Sequence, residues 1–148
     1  MGGIMDLELI NLFNKKVNMV LDNLLLKLQK NIPEKDVKLY TFTFGRVVTI
    51  QQYSGDYKPS NNAISFLMEE ISSIRMYSWK MDSVDSIVIS IELGNHNYKI
   101  FFDKRLEGSN DACNALFLIL NIFFRYYAED DVQGIRDFIE YENPLFHL

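Results

Sequence analysis

The sequence predicts an α+β domain: one four-stranded antiparallel sheet made of two hairpins and covered on one face by helices, in the order α-ββ-α-ββ-α-α. Three observations lead there. Two stretches, 37–53 and 87–102, alternate apolar and polar residues around a turn, which is the period of a half-buried strand. Four other stretches space their apolar residues by three and four, the period of an amphipathic helix. Each strand pair has a single apolar face, so the sheet needs a helical cover on that side only.

From Met5 to Lys30 the residues Leu7, Ile10, Val17, Leu21, Leu24 and Leu28 form one stripe, and Asn31-Ile32-Pro33 stops the helix because proline cannot continue its hydrogen-bond ladder. VKLYTFTF then sets Tyr40, Phe42 and Phe44 on one face and Thr41 and Thr43 on the other. The chain returns at Val47–Tyr53, and a loop longer than two residues keeps Phe42 opposite Ile50 and Phe44 opposite Val48. SGDYKPSNN is a connection from which Ser60 or Asn61 caps a second helix, with Ile64, Leu67, Met68, Ile71, Ile74 and Ser78 on its stripe and Trp79 and Met81 at its close. In IVISIELGNHNYKIFF a two-residue loop, Gly94-Asn95, pairs Leu93 with His96, Ile91 with Tyr98, Ile89 with Ile100 and Ile87 with Phe102. A slip of one residue would expose that whole row, so the register is nearly forced. The opposite sheet face, with Thr41, Thr43, Thr49, Gln51, Ser90, Glu92 and Lys99, is expected to face water. A third helix from Asn110 to Ala128 is apolar nearly all round, hence central or at an interface, and a final helix carries Val132, Ile135, Phe138 and Ile139.

At 148 residues the chain fits a single domain, 1–148, with residues 1–4 (MGGI) read as an added or disordered lead-in. Its 48% apolar and 24% charged residues are ordinary globular composition. The longest apolar run, Ala112–Phe124, is shorter than a bilayer span and interrupted by Asn114 and Asn121, so no membrane segment is expected. No secretory signal is visible and Cys113 is the only cysteine, which points to a reducing cytoplasm and excludes an intramolecular disulfide. Of the net charge of −5, residues 1–35 carry +1, 36–102 carry −1 and 103–148 carry −5. An acidic surface repels phosphate backbones and attracts basic proteins, so a basic protein partner is expected rather than nucleic acid.

Signatures of chemistry are sparse. Cys113 sits among apolar residues, and His96 and His147 lie at a turn and near the end of the chain, so no nucleophile has a base in reach. No paired histidines or cysteines suggest a metal site, and Glu129-Asp130-Asp131 lacks the oxygen-ligand alternation of a calcium loop. That run suits a helix start, where carboxylates oppose the positive end of the dipole. Glycine-rich phosphate loops are absent, Glu69-Glu70 reads as a solvated helix face, and FFRYY at 123–127 reads as rings turned inward with Arg125 reaching out. No cofactor, metal or catalytic residue is expected, and the chain is not read as an enzyme.

The order of elements resembles that of the YezG-like immunity proteins, antitoxins of polymorphic secreted nuclease toxins. The likeness runs over about residues 5–103: an N-terminal helix ending in Ile32-Pro33, a Tyr/Phe-rich hairpin from Leu39 to Tyr53, a helix closing on Trp79 and a second hairpin from Ile87 to Phe102. It implies a small cytoplasmic binding module that neutralises a toxin by occupying a basic surface. Under that expectation the carboxylates Glu107, Asp111, Glu129, Asp130 and Asp131 stand in for phosphates, and Tyr53 and Tyr57 anchor the contact. Two other readings stay open. One is a ligand-binding or enzymatic domain with a cleft between the sheet and the third helix, served by His96, Tyr98, Glu92 or Lys99. The other is a homo-oligomer, for instance a homodimer, built on the Ala112–Phe124 helix.

Overall fold

The computed structural model describes residues 6–28, 38–54, 63–104 and 108–140. It has three helices, α1 (Leu7–Leu28), α2 (Ser109–Glu129) and α3 (Val132–Glu140), and six strands: β1 (Lys38–Thr43), β2 (Val47–Ser54), β3 (Ile64–Leu67), β4 (Ile71–Met81), β5 (Val84–Leu93) and β6 (His96–Asp103). The strands form two three-stranded antiparallel sheets, β1-β2-β3 and β4-β5-β6, in place of the single four-stranded sheet expected.

The difference comes from one segment. Residues 64–81, expected as a helix, form β3, a 3-10 turn at Met68–Glu70, and β4. The inner-face residues Ile64, Phe66, Met68, Ile71, Ile74 and Met76 follow a spacing of two, stretched to three at the 3-10 turn and again at a bulge between Ile71 and Ser73. Those two slips make a strand pattern imitate helical spacing. Trp79 lies within β4 rather than closing a helix, and the two-residue turn Asp82-Ser83, with φ of 52° and 68°, leads into β5. Both residues are in the left-handed region that a type I′ hairpin turn needs. The expected caps Ser60 and Asn61 lie outside the described residues.

Both hairpins have the expected register: Phe42 pairs with Ile50, and Leu93, Ile91, Ile89 and Ile87 pair with His96, Tyr98, Ile100 and Phe102. On the first sheet's inner face Phe42, Phe44, Val48, Ile50 and Phe66 are buried; on the second's, Ile89, Ile91, Leu93 and Ile100 are. Helix α2 packs on the second sheet and against α1 and α3. Its apolar residues from Ala112 to Phe124 are all buried in the chain's own core or partly buried against it, so the helix is central. In α1, Phe13 and Val20 take core positions, whereas Leu7, expected on the stripe, is 73% exposed.

Helix α1 also closes a sheet edge with side chains. Asn14 Nδ2 donates to the Phe44 carbonyl at 2.9 Å while its Oδ1 accepts from the Phe44 N–H at 2.7 Å. One turn on, Asn18 makes the same pair with Phe42, at 3.2 and 3.3 Å. Four helical residues rise about 6 Å and two extended residues about 6.6 Å, so an i, i+4 pair of amides matches Phe42 of β1 and Phe44 just past its end. Asn14→Ala should lower unfolding free energy by roughly 1–3 kcal/mol, because it leaves both edge groups of Phe44 unpaired. Asn18→Ala should cost less, its bonds being longer, and urea titration of the two variants gives the ranking.

Candidate functional site

The outer face of the second sheet carries the most distinctive surface. Four cross-strand rows run over it: Ser73–Glu92–Asn97, Arg75–Ser90–Lys99, Tyr77–Val88–Phe101 and Trp79–Ser86–Asp103. In the last three rows the central strand contributes the smaller Ser90, Val88 and Ser86, and the flanking strands contribute larger residues that lean over them; in the first it contributes Glu92. Val88 is 0% exposed and Ser90 1% although both point away from the core, which corrects the expectation that Ser90 faces water. Glu92 and Lys99 keep partial or full exposure, as do Thr41, Thr43, Thr49 and Gln51 on the first sheet.

The large side chains on this face hold one another. The Arg75 guanidinium lies 5.4 Å from the Tyr77 ring centroid, and Lys99 Nζ reaches across the Val88 row to 5.2 Å from the Trp79 ring. Tyr77 and Trp79 meet edge to face at 6.4 Å. Arg75 Nε also pairs with Glu92 Oε1 at 3.0 Å, and the Ser73 hydroxyl donates to Glu92 Oε2 at 2.6 Å. Cation–ring contacts at exposed sites contribute about 0.5–1 kcal/mol each, enough to bias rotamers. Trp79 and Phe101 remain 40% and 45% exposed on this braced platform.

The residues singled out from the sequence fall in separate places. Tyr53, opposite Leu39, is half-buried on the outer face of the first sheet. Tyr57 and Glu107 lie outside the described residues. Asp111 stands in the first turn of α2, and Glu129 ends that helix, about 27 Å away along its axis. Asp130 takes a left-handed conformation, φ 54°, beyond the helix end. Asp131 caps α3, accepting the Gly134 N–H at 3.1 Å; a Cβ at Gly134 would come within 3.0 Å of its Oδ2. The acidic run is thus partly structural.

The Glu69-Glu70 pair belongs to the 3-10 turn instead of a helix face. Glu69 accepts from Arg46 at 3.0 Å and from the Tyr127 hydroxyl at 2.7 Å, and Glu70 accepts from the Leu67 N–H at 3.1 Å. Hydrogen bonds, first from the Arg46 guanidinium and then from Tyr127, hold the Glu69 carboxyl below its ordinary range.

Side chains named for a cleft beside α2 do not converge. His96 and Tyr98 belong to the inner row of β6, whereas Glu92 and Lys99 point from the outer face. A groove of about 270 Å³ does exist elsewhere, between the start of α1 and α3, lined by Asp6, Glu8, Leu9, Leu12, Arg136, Ile139 and Glu140. Among the described residues no three His, Cys, Asp or Glu side chains gather as metal ligands, and no helix is long and apolar enough to cross a membrane. Sequence reasoning missed Arg75, Tyr77, Trp79 and Phe101 as a set. The alternation of Arg75, Tyr77 and Trp79 was the available signal.

Cys113 is fully buried on α2, and desolvation pushes its thiol up to about 12. Burial, with a smaller contribution from Tyr98, likewise pushes Tyr40 up to about 12. Both groups keep their protons in the folded chain at pH values where the unfolded chain has lost them. The stability they contribute is therefore whole below the unfolded pKa values, about 9 for the thiol and 10 for the phenol, and is lost as pH rises towards 12. Cys113→Ala should abolish the part of the alkaline decline that starts near pH 9, leaving the part that starts near 10; denaturant titrations across that range read both. Iodoacetamide should label Cys113 only as fast as the chain unfolds.

Compared with protein-family models, curated proteins and solved structures, the chain matches no family model, no curated protein and no solved structure.

Proposed function

We propose that this protein is a cytoplasmic binding module that neutralises a cognate bacterial toxin by protein–protein contact. The outer face of β4-β5-β6 carries the proposal. Trp, Tyr and Arg are the residue types that concentrate binding energy at interfaces, and here Arg75, Tyr77 and Trp79 stand in one row of β4 beside Phe101. Their own-chain contacts already restrict their rotamers, which lowers the entropy lost on docking. A net charge of −5 favours approach to a basic domain, with Asp111 at one end of α2 and Glu129 and Asp130 at the other steering the encounter.

Tyr53 is a second anchor in this reading, and Tyr57 and Glu107 keep the partner-binding roles expected from the sequence. Asp131 contributes through its cap of α3 as well as its charge. The resemblance to YezG-like immunity proteins points to the same class; with Trp79 inside strand β4 rather than at the end of a helix, it rests on the N-terminal helix and the two hairpins.

Expressed together with its cognate toxin domain, which this reading places in a neighbouring gene, the chain should co-purify with that domain and protect the cell. Trp79→Ala and Phe101→Ala should each weaken the complex by roughly tenfold or more. Glu129→Gln combined with Asp130→Asn should slow association at low ionic strength and leave dissociation nearly unchanged, as surface plasmon resonance would read. Asn at position 130 tolerates the left-handed conformation there, and urea titration of the variant separates a charge effect from one on folding. Full protection by a Trp79→Ala/Phe101→Ala double variant would remove this reading.

A further inference from the structure

We propose that two copies of this chain pair through the free edge of β4, joining their second sheets into one six-stranded antiparallel sheet about a two-fold axis. Strand β4 is the longest in the protein, 11 residues against 4 in β3 and 8 in β6. It lies at the sheet's edge, and among the described residues no strand pairs with its outward side. The edge of β1 has a different fate, because Asn14 and Asn18 occupy it. A long edge with no strand against it among the described residues is a template for another strand.

The turn geometry fixes which backbone groups of β4 are outward. In a two-residue type I′ hairpin the flanking residues, Met81 and Val84, exchange both hydrogen bonds, and bonded pairs then alternate along the ladder. Residues 75, 77 and 79 therefore bond to β5, and Ile74, Met76, Ser78 and Lys80 present their N–H and carbonyl groups to the edge. The adjoining hairpin agrees: Leu93 and His96 flank another two-residue loop, so residues 87, 89 and 91 of β5 bond to β6.

Past the bulge at its start, β4 pairs without interruption from Ser73 to Met81, and the midpoint of that run is Tyr77. A two-fold axis at Tyr77 gives the longest self-pairing. It sets Met76 against Ser78 and Ile74 against Lys80 as bonded pairs, and Tyr77 against its own copy and Arg75 against Trp79 as non-bonded ones. No like charges face each other in that register. It also places an Arg75 guanidinium beside a Trp79 ring of the other copy, repeating the cation–ring contacts already present on this face. Met76, 39% exposed on the inner face, gains cover on the other side. The second copy thus matches β4 in length, meets it without like charges opposed, and is complementary in ring chemistry.

Sedimentation of the intact chain from low micromolar to sub-millimolar concentration should show the mass climb from 17.3 kDa towards twice that value. Ser78→Pro deletes an outward N–H without touching the β4–β5 ladder and should return the protein to monomer, with near-ultraviolet circular dichroism unchanged. Tyr77→Cys, oxidised with glutathione disulfide, should give a covalent dimer, because non-bonded antiparallel partners lie within disulfide reach. Trp79→Cys, which faces Arg75 of the other copy, should give none, and the buried Cys113 supplies no background. Monomer behaviour of the unmodified chain throughout, or a dimer that Ser78→Pro leaves intact and Tyr77→Cys fails to link, would overturn the proposal.

Discussion

The pairing of two asparagines with the edge of β1 is the interaction on which the rest of the architecture depends. An edge strand exposes a row of N–H and carbonyl groups that must be satisfied, and helices ordinarily cover sheets by their faces. Here α1 satisfies Phe42 and Phe44 through the side chains of Asn18 and Asn14. Those bonds fix the axial position and the rotation of the helix relative to the strand. Asn14 directly follows Phe13, so setting the amide in place also sets the ring.

Phe13 is fully buried and lies 5.3 Å from Phe44, 5.4 Å from Phe123 and 5.3 Å from Phe138 between ring centroids. One residue thus brings together α1, the end of β1, α2 and α3. Ring pairs at such separations stabilise by about 0.5–1.5 kcal/mol beyond their buried area, and they constrain orientation more than aliphatic contacts do. This explains why α2 is apolar nearly all round. It meets Phe13 and α3 on one side and the β4-β5-β6 sheet on the other, so few of its positions are left to water. The same central placement buries Cys113 and keeps its thiol protonated.

Much of this was legible in the sequence, and the exceptions have physical causes. The second hairpin could be read to the residue because one face of it is buried throughout, which makes a one-residue slip costly. Helices α2 and α3 were legible from their apolar spacing and from the acidic stop between them. Residues 64–81 were not, since a turn of 3-10 helix and a bulge each add one residue to a period of two and mimic helical spacing. Phe66 is the position that betrays the strand: it lies off the helical stripe and is 5% exposed. Losing β4 as a strand meant losing the aromatic row, because Arg75, Tyr77 and Trp79 share a face only at period two. Nothing in the local pattern marks Asn14 and Asn18 either. A side chain bonded to a distant strand edge leaves no local trace.

The two faces of the second sheet obey opposite demands, and β5 reconciles them. Its inward residues Ile89, Ile91 and Leu93 are large and fill the core, while its outward residues Ser86, Val88 and Ser90 are small. Large outward residues on the central strand would leave no room for Arg75, Tyr77, Trp79, Lys99 and Phe101 to lean inward from the flanks. With small ones, the rings and cations lie along the sheet and brace one another instead of extending separately into water. Glu92 shows the electrostatic side of the arrangement. Its carboxylate takes up Arg75 and Ser73, so an aromatic face with two cations carries little net charge on a protein whose total is −5. In the proposed complex, a near-neutral, ordered aromatic surface on an acidic body would separate two tasks that often conflict at an interface: distant charge would govern the encounter, and desolvated rings the lifetime of the contact.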